Sequence, residues 1–186
     1  MNSLLVAVII IIAVLALLYN FLISKKNQVQ NIYASVDTLL KKRFDLIPSL
    51  IATVQEAMKH EKSTLEEIAA LRSQAMKPDI SSNEMAGLDS KLSSLLGSIM
   101  VAVEDYPELK ANENTLNLQH SLNEIEEQLS AARRAYNQSV TDYNNAIEMF
   151  PTNIMANYMK YSRKQVFTIV ESERKNPNVK ELFGKK

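Results

Sequence analysis

The hydrophobic pattern opens with an unbroken apolar run. Residues 4–18 read LLVAVIIIIAVLALL, and YNFLI extends the run to residue 23. Twenty helical residues at ~1.5 Å each cover the roughly 30 Å hydrocarbon layer of a bilayer, and a helix satisfies its own backbone groups there. We therefore predict that residues 1–24 form a transmembrane anchor.

A cleaved signal peptide is the competing interpretation of this run. Such a peptide has a basic stretch before a shorter apolar core, and a cleavage site with small residues two apart. No Lys or Arg precedes the run, and Ala7, Ala13 and Ala16 are never two apart. The pattern favours an uncleaved anchor.

Basic residues follow the run and none precedes it. Lys25 and Lys26 come directly after it, and Lys41, Lys42 and Arg43 come later. The positive-inside rule then predicts a short N-terminus outside and a cytoplasmic body. The later cluster begins ~27 Å of helix beyond residue 23, past the ~8 Å screening length, so we interpret it as a solvated basic face and not as a lipid site.

Helical periodicity continues after the anchor. Apolar residues recur at steps of three and four, which indicates one buried stripe. Its members are Val29, Tyr33, Val36, Leu40, Phe44, Ile47, Ile51, Val54, Met58, Leu65 and Ile68. We predict one helix over residues 25–76, ~78 Å long. Pro48 lacks the N–H of a helix interior, so we expect a bend near residues 44–48.

Three further helices are predicted from proline positions and caps. Ser81 and Glu84 have the S-x-x-E spacing of a capping box, which starts a second helix with Leu88, Leu92, Leu95, Ile99 and Val103 on its buried side. Pro107 suits the first position of a third helix. The buried side of that helix comprises Leu122, Leu129, Tyr136, Val140, Tyr143, Ile147 and Phe150.

The chain beyond Pro151 is predicted as a fourth helix over residues 154–174 and a polar tail. The fold class is therefore all-α: an N-terminal transmembrane helix continues into an elongated antiparallel bundle of about four helices. We assign residues 1–24 to the anchor, 25–175 to the bundle and 176–186 to the tail. With helices of ~78, ~35 and ~65 Å, we expect uncovered apolar stripes and hence a homo-oligomer, unless the third helix bends within LKANEN (residues 109–114) and folds back.

Four charged residues interrupt the predicted buried stripes: Glu61, Arg72, Glu126 and Arg133. Across a helix pair a carboxylate can meet a guanidinium in bidentate geometry. Such pairs either fix helix register or serve as catalytic groups. We favour register, because a neighbouring Arg shifts a carboxylate pKa opposite to what a general acid needs.

Composition narrows the possible functions. Twenty-one basic residues balance twenty-one acidic ones, which argues against nucleic-acid binding, and the absence of Cys excludes thiol chemistry. His60 and His120 are isolated and HEKST lacks the second His of H-E-x-x-H, so no metal, cofactor or catalytic site is predicted. Both histidines are expected at the surface. Tyr136 and Tyr143 are expected in the core, with a docking surface as the alternative.

Several segments resemble motifs of the LemA family of bacterial membrane proteins. They are KKRFDLIPSL, EDYPELKA, SAARRAYNQSV and MFPTN. The likeness covers about residues 19–160. Motif positions fall on Arg43, Asp45, Pro48, His60, Glu61, Arg72, Tyr106, Pro107, Arg133, Tyr136, Asn137, Phe150 and Pro151. The chain departs from the family after residue 156, where NYMKYSR stands and members often carry Gly-Phe.

The resemblance implies a single-pass anchor in the bacterial inner membrane and an elongated helical body in the cytoplasm. It implies no settled activity. We predict a non-enzymatic, membrane-anchored scaffold that self-associates or organises partner proteins in the envelope. The alternative is a regulatory receptor or accessory subunit of an envelope hydrolase or signalling system.

Overall fold

The computed structural model describes residues 3–77, 80 and 82–167, with backbone alone at positions 82 and 83. The described residues form α-helices, turns and one extended segment, and no strand occurs among them. The seven α-helices are α1 Ser3–Asp45, α2 Ile47–Val54, α3 Lys62–Ala75, α4 Ser82–Val103, α5 Pro107–Lys110, α6 Glu113–Glu148 and α7 Thr152–Tyr158. The predicted all-α fold is confirmed.

Helix α1 carries the apolar run in its first half and enters the body without a break. The side chains of the run are exposed as far as residue 17, for example Ile12 at 61% and Leu17 at 69%, as lipid contact requires. Within the described residues, Ser3–Val54 and Glu84–Val103 are both long and apolar enough to cross a membrane. The second stretch packs inside the body, since Leu92 and Ile99 in α4 are fully buried.

The helix is interrupted where the bend at Pro48 is predicted, between α1 and α2. α1 ends at Asp45, and Pro48 lies in the first turn of α2, where a missing N–H removes no bond within that helix. The N–H of Leu46 donates to the Arg43 carbonyl at 3.2 Å, a tighter turn than an α-helix makes. Helical bonding resumes at once, since the N–H of Leu50 donates to the Leu46 carbonyl at 3.0 Å. The bend itself stays a prediction.

The single helix predicted over residues 25–76 is wrong, because the chain reverses after α2. Gln55 to Met58 leave the helical path, Lys59–Glu61 form one turn of 3-10 helix, and α3 packs back against α2. Met58 is fully buried inside this hairpin. The helices are therefore not as unequal as the periodicity indicated, and most of the predicted stripe is covered within one chain.

The predicted third helix is two helices, α5 and α6. Ala111 and Asn112 separate them, and the Asn112 side-chain oxygen caps α6 by accepting from the N–H of Asn114 at 2.8 Å. α6 runs antiparallel along α1 and makes the most extensive helix contact of the body. Phe150, predicted on its buried side, is instead 80% exposed, because α6 ends at Glu148.

Two apolar clusters form the core. The larger joins α1 to α6 around Phe44, Ile47, Ile68, Leu92 and Leu129. The smaller lies nearer the apolar run and joins α1, α6 and α7, with Leu22, Val29, Val140, Tyr143, Ala146, Ile147 and Ala156. In α4 the fully buried leucines are Leu92 and Leu96, while Leu95 is only half-buried, a shift of one position from the prediction.

The predicted fourth helix ends early. α7 stops at Tyr158, and residues 161–167 are extended across α6. Lys160 has φ of 55°, the N–H of Tyr161 donates to the Ala156 carbonyl and the N–H of Lys160 to that of Asn157, which together form a Schellman motif. The rest of that helix, the polar tail and the Ser81 cap lie outside the described residues.

Candidate functional site

A cluster of four charges links α1, α4 and α6. Arg43 Nη1 donates to Asp89 Oδ1 at 2.7 Å and lies 2.9 Å from Glu126 Oε2. Arg133 Nη2 donates to the other oxygen of Asp89. Asp89 is fully buried and Arg43 is 5% exposed, whereas Glu126 and Arg133 reach the surface. One buried carboxylate thus accepts from two helices at once.

The four charges predicted from the stripes are not paired with each other. Glu126 meets Arg43 and Arg133 meets Asp89, so both join the cluster. Arg72 lies elsewhere, with Nε donating to the Phe44 carbonyl at 3.2 Å. Glu61 is half-buried in the 3-10 turn of the α2–α3 hairpin.

Sequence reasoning missed Asp89 and misplaced Arg43. Arg43 was expected on a solvated face with Lys41 and Lys42; those two lysines are exposed, but Arg43 is buried. A signal for Asp89 was available, because it falls between Met85 and Leu92 at helical spacing inside an apolar stripe. A buried charge needs a partner, and Arg43 lies on the facing helix.

This cluster suits a structural role. Guanidinium groups bind both oxygens of the buried carboxylate, and these bonds fix how the three helices align. Removal of one partner would leave a buried charge without compensation. A groove of ≈ 400 Å³ lies beside it between α4 and α6, with Arg43, Leu96, Gly97 and Glu126 among its lining residues. No group of three or more His, Asp and Glu that could hold a metal occurs among the described residues, where His60 and His120 are exposed.

A second site lies on α6, where two asparagines bind the extended segment, residues 161–167. Asn137 Nδ2 donates to the Phe167 carbonyl at 2.9 Å, and the Phe167 N–H donates back to Asn137 Oδ1 at 2.7 Å. Asn144 does the same with Lys164, both bonds being 2.9 Å. Each amide therefore pairs with both backbone groups of one residue. We call Asn137 and Asn144 the asparagine clamp.

Tyrosines beside the clamp add contacts to the same segment. Tyr143 Oη donates to the Ser162 carbonyl at 3.2 Å, and its ring is 6.0 Å from that of Tyr161. The ring of Tyr136 is 4.6 Å from Phe167 and 5.9 Å from Tyr33 on α1. Tyr143 is buried as predicted, whereas Tyr136 is only half-buried, and both hydroxyls face the segment.

Burial changes the acidity of these phenols. Desolvation raises the pKa of Tyr136 above its usual value near 10, and the neighbouring Tyr33 raises it further. Desolvation and Tyr161 together raise the pKa of Tyr143. Both hydroxyls therefore stay protonated at neutral pH and keep an O–H to donate.

The clamp binds backbone, which gives it a chemical character of its own. The amide side chain of Asn offers a donor and an acceptor to an extended residue, as a neighbouring β-strand would. The side chains of the segment are contacted by aromatic rings at residues 161 and 167, by Glu148 at Arg163 and by the Tyr143 ring at Lys164. The arrangement can hold an extended peptide that carries aromatic and basic residues at these positions.

Comparisons with known proteins agree with the motifs. Protein LemA of Metamycoplasma hominis is 26% identical over 163 residues, which are 88% of this chain and 74% of that protein. Magnetosome protein MamQ 2 of Paramagnetospirillum magneticum is 29% identical over 83 residues, 45% of this chain and 30% of that protein. Magnetosome protein MamQ of Magnetospirillum gryphiswaldense is 28% identical over 83 residues, again 30% of its length.

The LemA family model matches residues 32–180, from the middle of α1 past the end of the extended segment. That range contains the α1–α2 junction at Leu46, the charge cluster and the asparagine clamp. Because it covers most of the 186 residues, the chain belongs to the LemA family.

Proposed function

We propose that this chain is a membrane-anchored, non-enzymatic scaffold that assembles copies of itself at the bacterial inner membrane. The asparagine clamp is the assembly site in this proposal. A clamp that holds residues 161–167 of its own chain can hold the same segment of a neighbouring copy, with identical bonds.

The clamp is the observation that carries the proposal. Four hydrogen bonds join the side chains of Asn137 and Asn144 to the backbone of residues 164 and 167, and none of the four involves a side chain of the segment. The unequal helix lengths do not support self-association, since the α2–α3 hairpin covers the predicted stripe. For the segment to exchange between two copies, the chain needs only a hinge between α7 and residue 161. Lys160 lies there, and it is the one non-glycine residue with positive φ among those described.

Membrane attachment is supported by α1 and by the family. LemA family proteins are membrane-associated, and α1 begins with exposed apolar residues over a span-length run. The basic residues that follow the apolar run support a cytoplasmic body in this proposal. Ser63 is exposed on α3, so a Ser63→Cys variant should resist an impermeant thiol reagent on intact cells. Ready labelling would reverse the orientation.

Complementation between two damaged copies tests the exchange. One copy carries Asn137→Ala and Asn144→Ala, so its clamp is lost but its segment is intact. The other has residues 161–167 replaced by a Gly/Ser linker, so its segment is lost but its clamp is intact. With different tags, these two copies should co-purify from detergent, whereas two copies that both lack the segment should not.

The matched control is Asn145→Ala, one position from Asn144 and exposed to solvent. A copy with this change should associate as the unmodified chain does. Equal co-purification of two copies that both lack the segment would contradict the proposal, since association would then not use the clamp.

A receptor or accessory subunit is the second candidate. This candidate is favoured because the clamp bonds to backbone atoms, which every peptide carries. A partner protein could therefore supply the extended segment in place of residues 161–167. In the co-purification, one foreign protein in stoichiometric amount, lost with the Asn137→Ala and Asn144→Ala changes, would favour this candidate over self-assembly.

A further inference from the structure

The pairing of α1 with α6 places the end of the body against the apolar run. Going back along α1 from Arg43 to Lys25, the contacting residues of α6 advance from Glu126 to Asp142, nearly one for one. The 5.9 Å ring contact of Tyr33 with Tyr136 falls on the same register. If this one-for-one pairing continues along α1 towards the N-terminus, Phe150 lies level with Leu18.

Burial along α1 agrees with this register. Leu18 is half-buried and Leu22 is fully buried, the latter against α6 and α7. Both belong to the apolar run over residues 4–23, whose other side chains up to residue 17 are exposed. The body therefore overlaps the last turns of the apolar run, and the α6–α7 connection lies level with Leu18.

The segment at this depth is apolar on its outer side. We call residues 149–158 the tip. Exposed fractions are 63% for Met149, 80% for Phe150, 65% for Ile154 and 86% for Tyr158. Ile154 and Tyr158 are one helical turn apart and share the outer face of α7, while Thr152 and Ala156 on the inner face are buried.

Basic residues surround the tip. Those near it are Lys25, Lys26, Lys160, Arg163 and Lys164, and the nearby acids are Asp142 and Glu148. Lys25 pairs with Asp142 at 3.5 Å and Arg163 with Glu148 at 2.9 Å. The Lys26 ammonium lies 5.4 Å from the Tyr161 ring centre. The net charge of the described residues here is positive, as contact with anionic headgroups favours.

We propose that the tip inserts into the headgroup and acyl boundary of the bilayer, as a second membrane contact beside the transmembrane helix. Phe and Tyr side chains with an adjacent basic rim are the composition of interfacial segments. The lipid surface is the occupant, because α1 enters the body without a break and holds the tip at the depth of Leu18. Tyr158 would lie in the headgroup layer, where its ring and hydroxyl both find suitable surroundings.

Tryptophan fluorescence tests this insertion directly, since the chain has no Trp. The full-length Phe150→Trp variant is placed in vesicles of phosphatidylcholine and phosphatidylglycerol, with or without brominated acyl chains. The matched control is Val101→Trp, because Val101 is 72% exposed near the end of α4. That end of α4 contacts α5, and α5 contacts the start of α6, at the end of the body away from the tip.

We expect blue-shifted emission from Trp at position 150, several-fold stronger quenching by brominated lipid than at position 101, and weaker quenching by aqueous iodide. Quenching at position 150 equal to that at 101 would overturn the proposal. Blue-shifted emission without quenching by brominated lipid would overturn it too, because a protein surface would then cover the tip. Ile154→Trp repeats the measurement should circular dichroism show that Phe150→Trp is not folded.

Discussion

Arg72 Nε donates a hydrogen bond to the backbone carbonyl of Phe44 at 3.2 Å. In an uninterrupted helix that carbonyl would accept from the N–H four residues on, and the residue there is Pro48, which has none. Pro48 therefore leaves free an acceptor that a side chain from α3 uses. This bond fastens the α2–α3 hairpin to α1, 28 residues away in the chain.

Arg72→Ala should destabilise the body by about 1–3 kcal/mol, because the partly buried Phe44 carbonyl loses its donor. Thermal unfolding in detergent, followed by circular dichroism, measures the loss. Pro48→Ala supplies a backbone N–H, so the cost of Arg72→Ala should shrink in that background. Equal costs in both backgrounds would contradict the link. The control is Arg134→Ala, because Arg134 is exposed and its side chain donates only to Ser130, one turn away on the same helix.

Asp89→Ala should cost about 3–5 kcal/mol, because it leaves the buried Arg43 guanidinium without its main partner. The midpoint of denaturant unfolding checks the size. Glu104→Ala is the control, since Glu104 and Lys110 form an ion pair with both side chains 59% exposed, and exposed pairs contribute less than about 1 kcal/mol. Similar losses in the two variants would argue against a role for the cluster in register.

Asn144→Ala should release residues 161–167 before the rest of the body unfolds. Two bonds to Lys164 are lost, while α6 keeps its helical backbone bonds. Trypsin should then cleave after Arg163 and Lys164 faster than in the unmodified chain, by a factor that tracks local opening. Asn145→Ala should leave the cleavage rate unchanged. Slow cleavage in the Asn144 variant would mean that Asn137 and the tyrosines hold the segment without Asn144.

Lys160→Gly should stabilise the protein by about 1 kcal/mol, because Gly adopts φ near +55° without the clash of a side chain. A rise in the melting temperature checks the prediction. The control is Lys91→Gly in the middle of α4, where the change should cost about 1 kcal/mol. A lower melting temperature for both variants would contradict it.

Tyr136 should ionise at higher pH in the folded chain than in the unfolded one. Its pKa is raised in the folded state by burial and then by Tyr33. The associated stability is therefore complete below the unfolded value near 10 and is lost as pH rises through the folded value. Ultraviolet titration of tyrosinate, compared with Tyr136→Phe, isolates this group. Tyr33→Phe should lower the pH at which Tyr136 is half-ionised. An unchanged half-ionisation pH would exclude a contribution of Tyr33 to the pKa of Tyr136.

The helices and much of the core were predictable from periodicity, since Val29, Val36, Leu40 and Phe44 are all buried as the spacing indicated. The reversal after α2 was not. Residues 55–61 contain neither Gly nor Pro, and Met58 continues the apolar spacing across the turn. A stripe looks the same in sequence whether the chain continues or folds back on itself.

The candidate site was only partly predictable. Tyr136 and Tyr143 were expected on the inner face, but the clamp depends on bonds from Asn137 and Asn144 to residues 30 and 20 positions away. Periodicity carries no information on such contacts. They also explain why residues 161–167 are extended: side-chain bonds to their backbone replace those a longer α7 would have made.

The absence of a joint in α1 has a mechanical consequence. One rod of 43 residues passes from the apolar run to the charge cluster, so the anchor and the body cannot swivel independently. A tilt or rotation of the rod must turn the whole body by the same angle. In the assembly proposed above, neighbouring molecules would therefore meet in a limited set of orientations, with residues 161–167 held at one fixed distance from the apolar run.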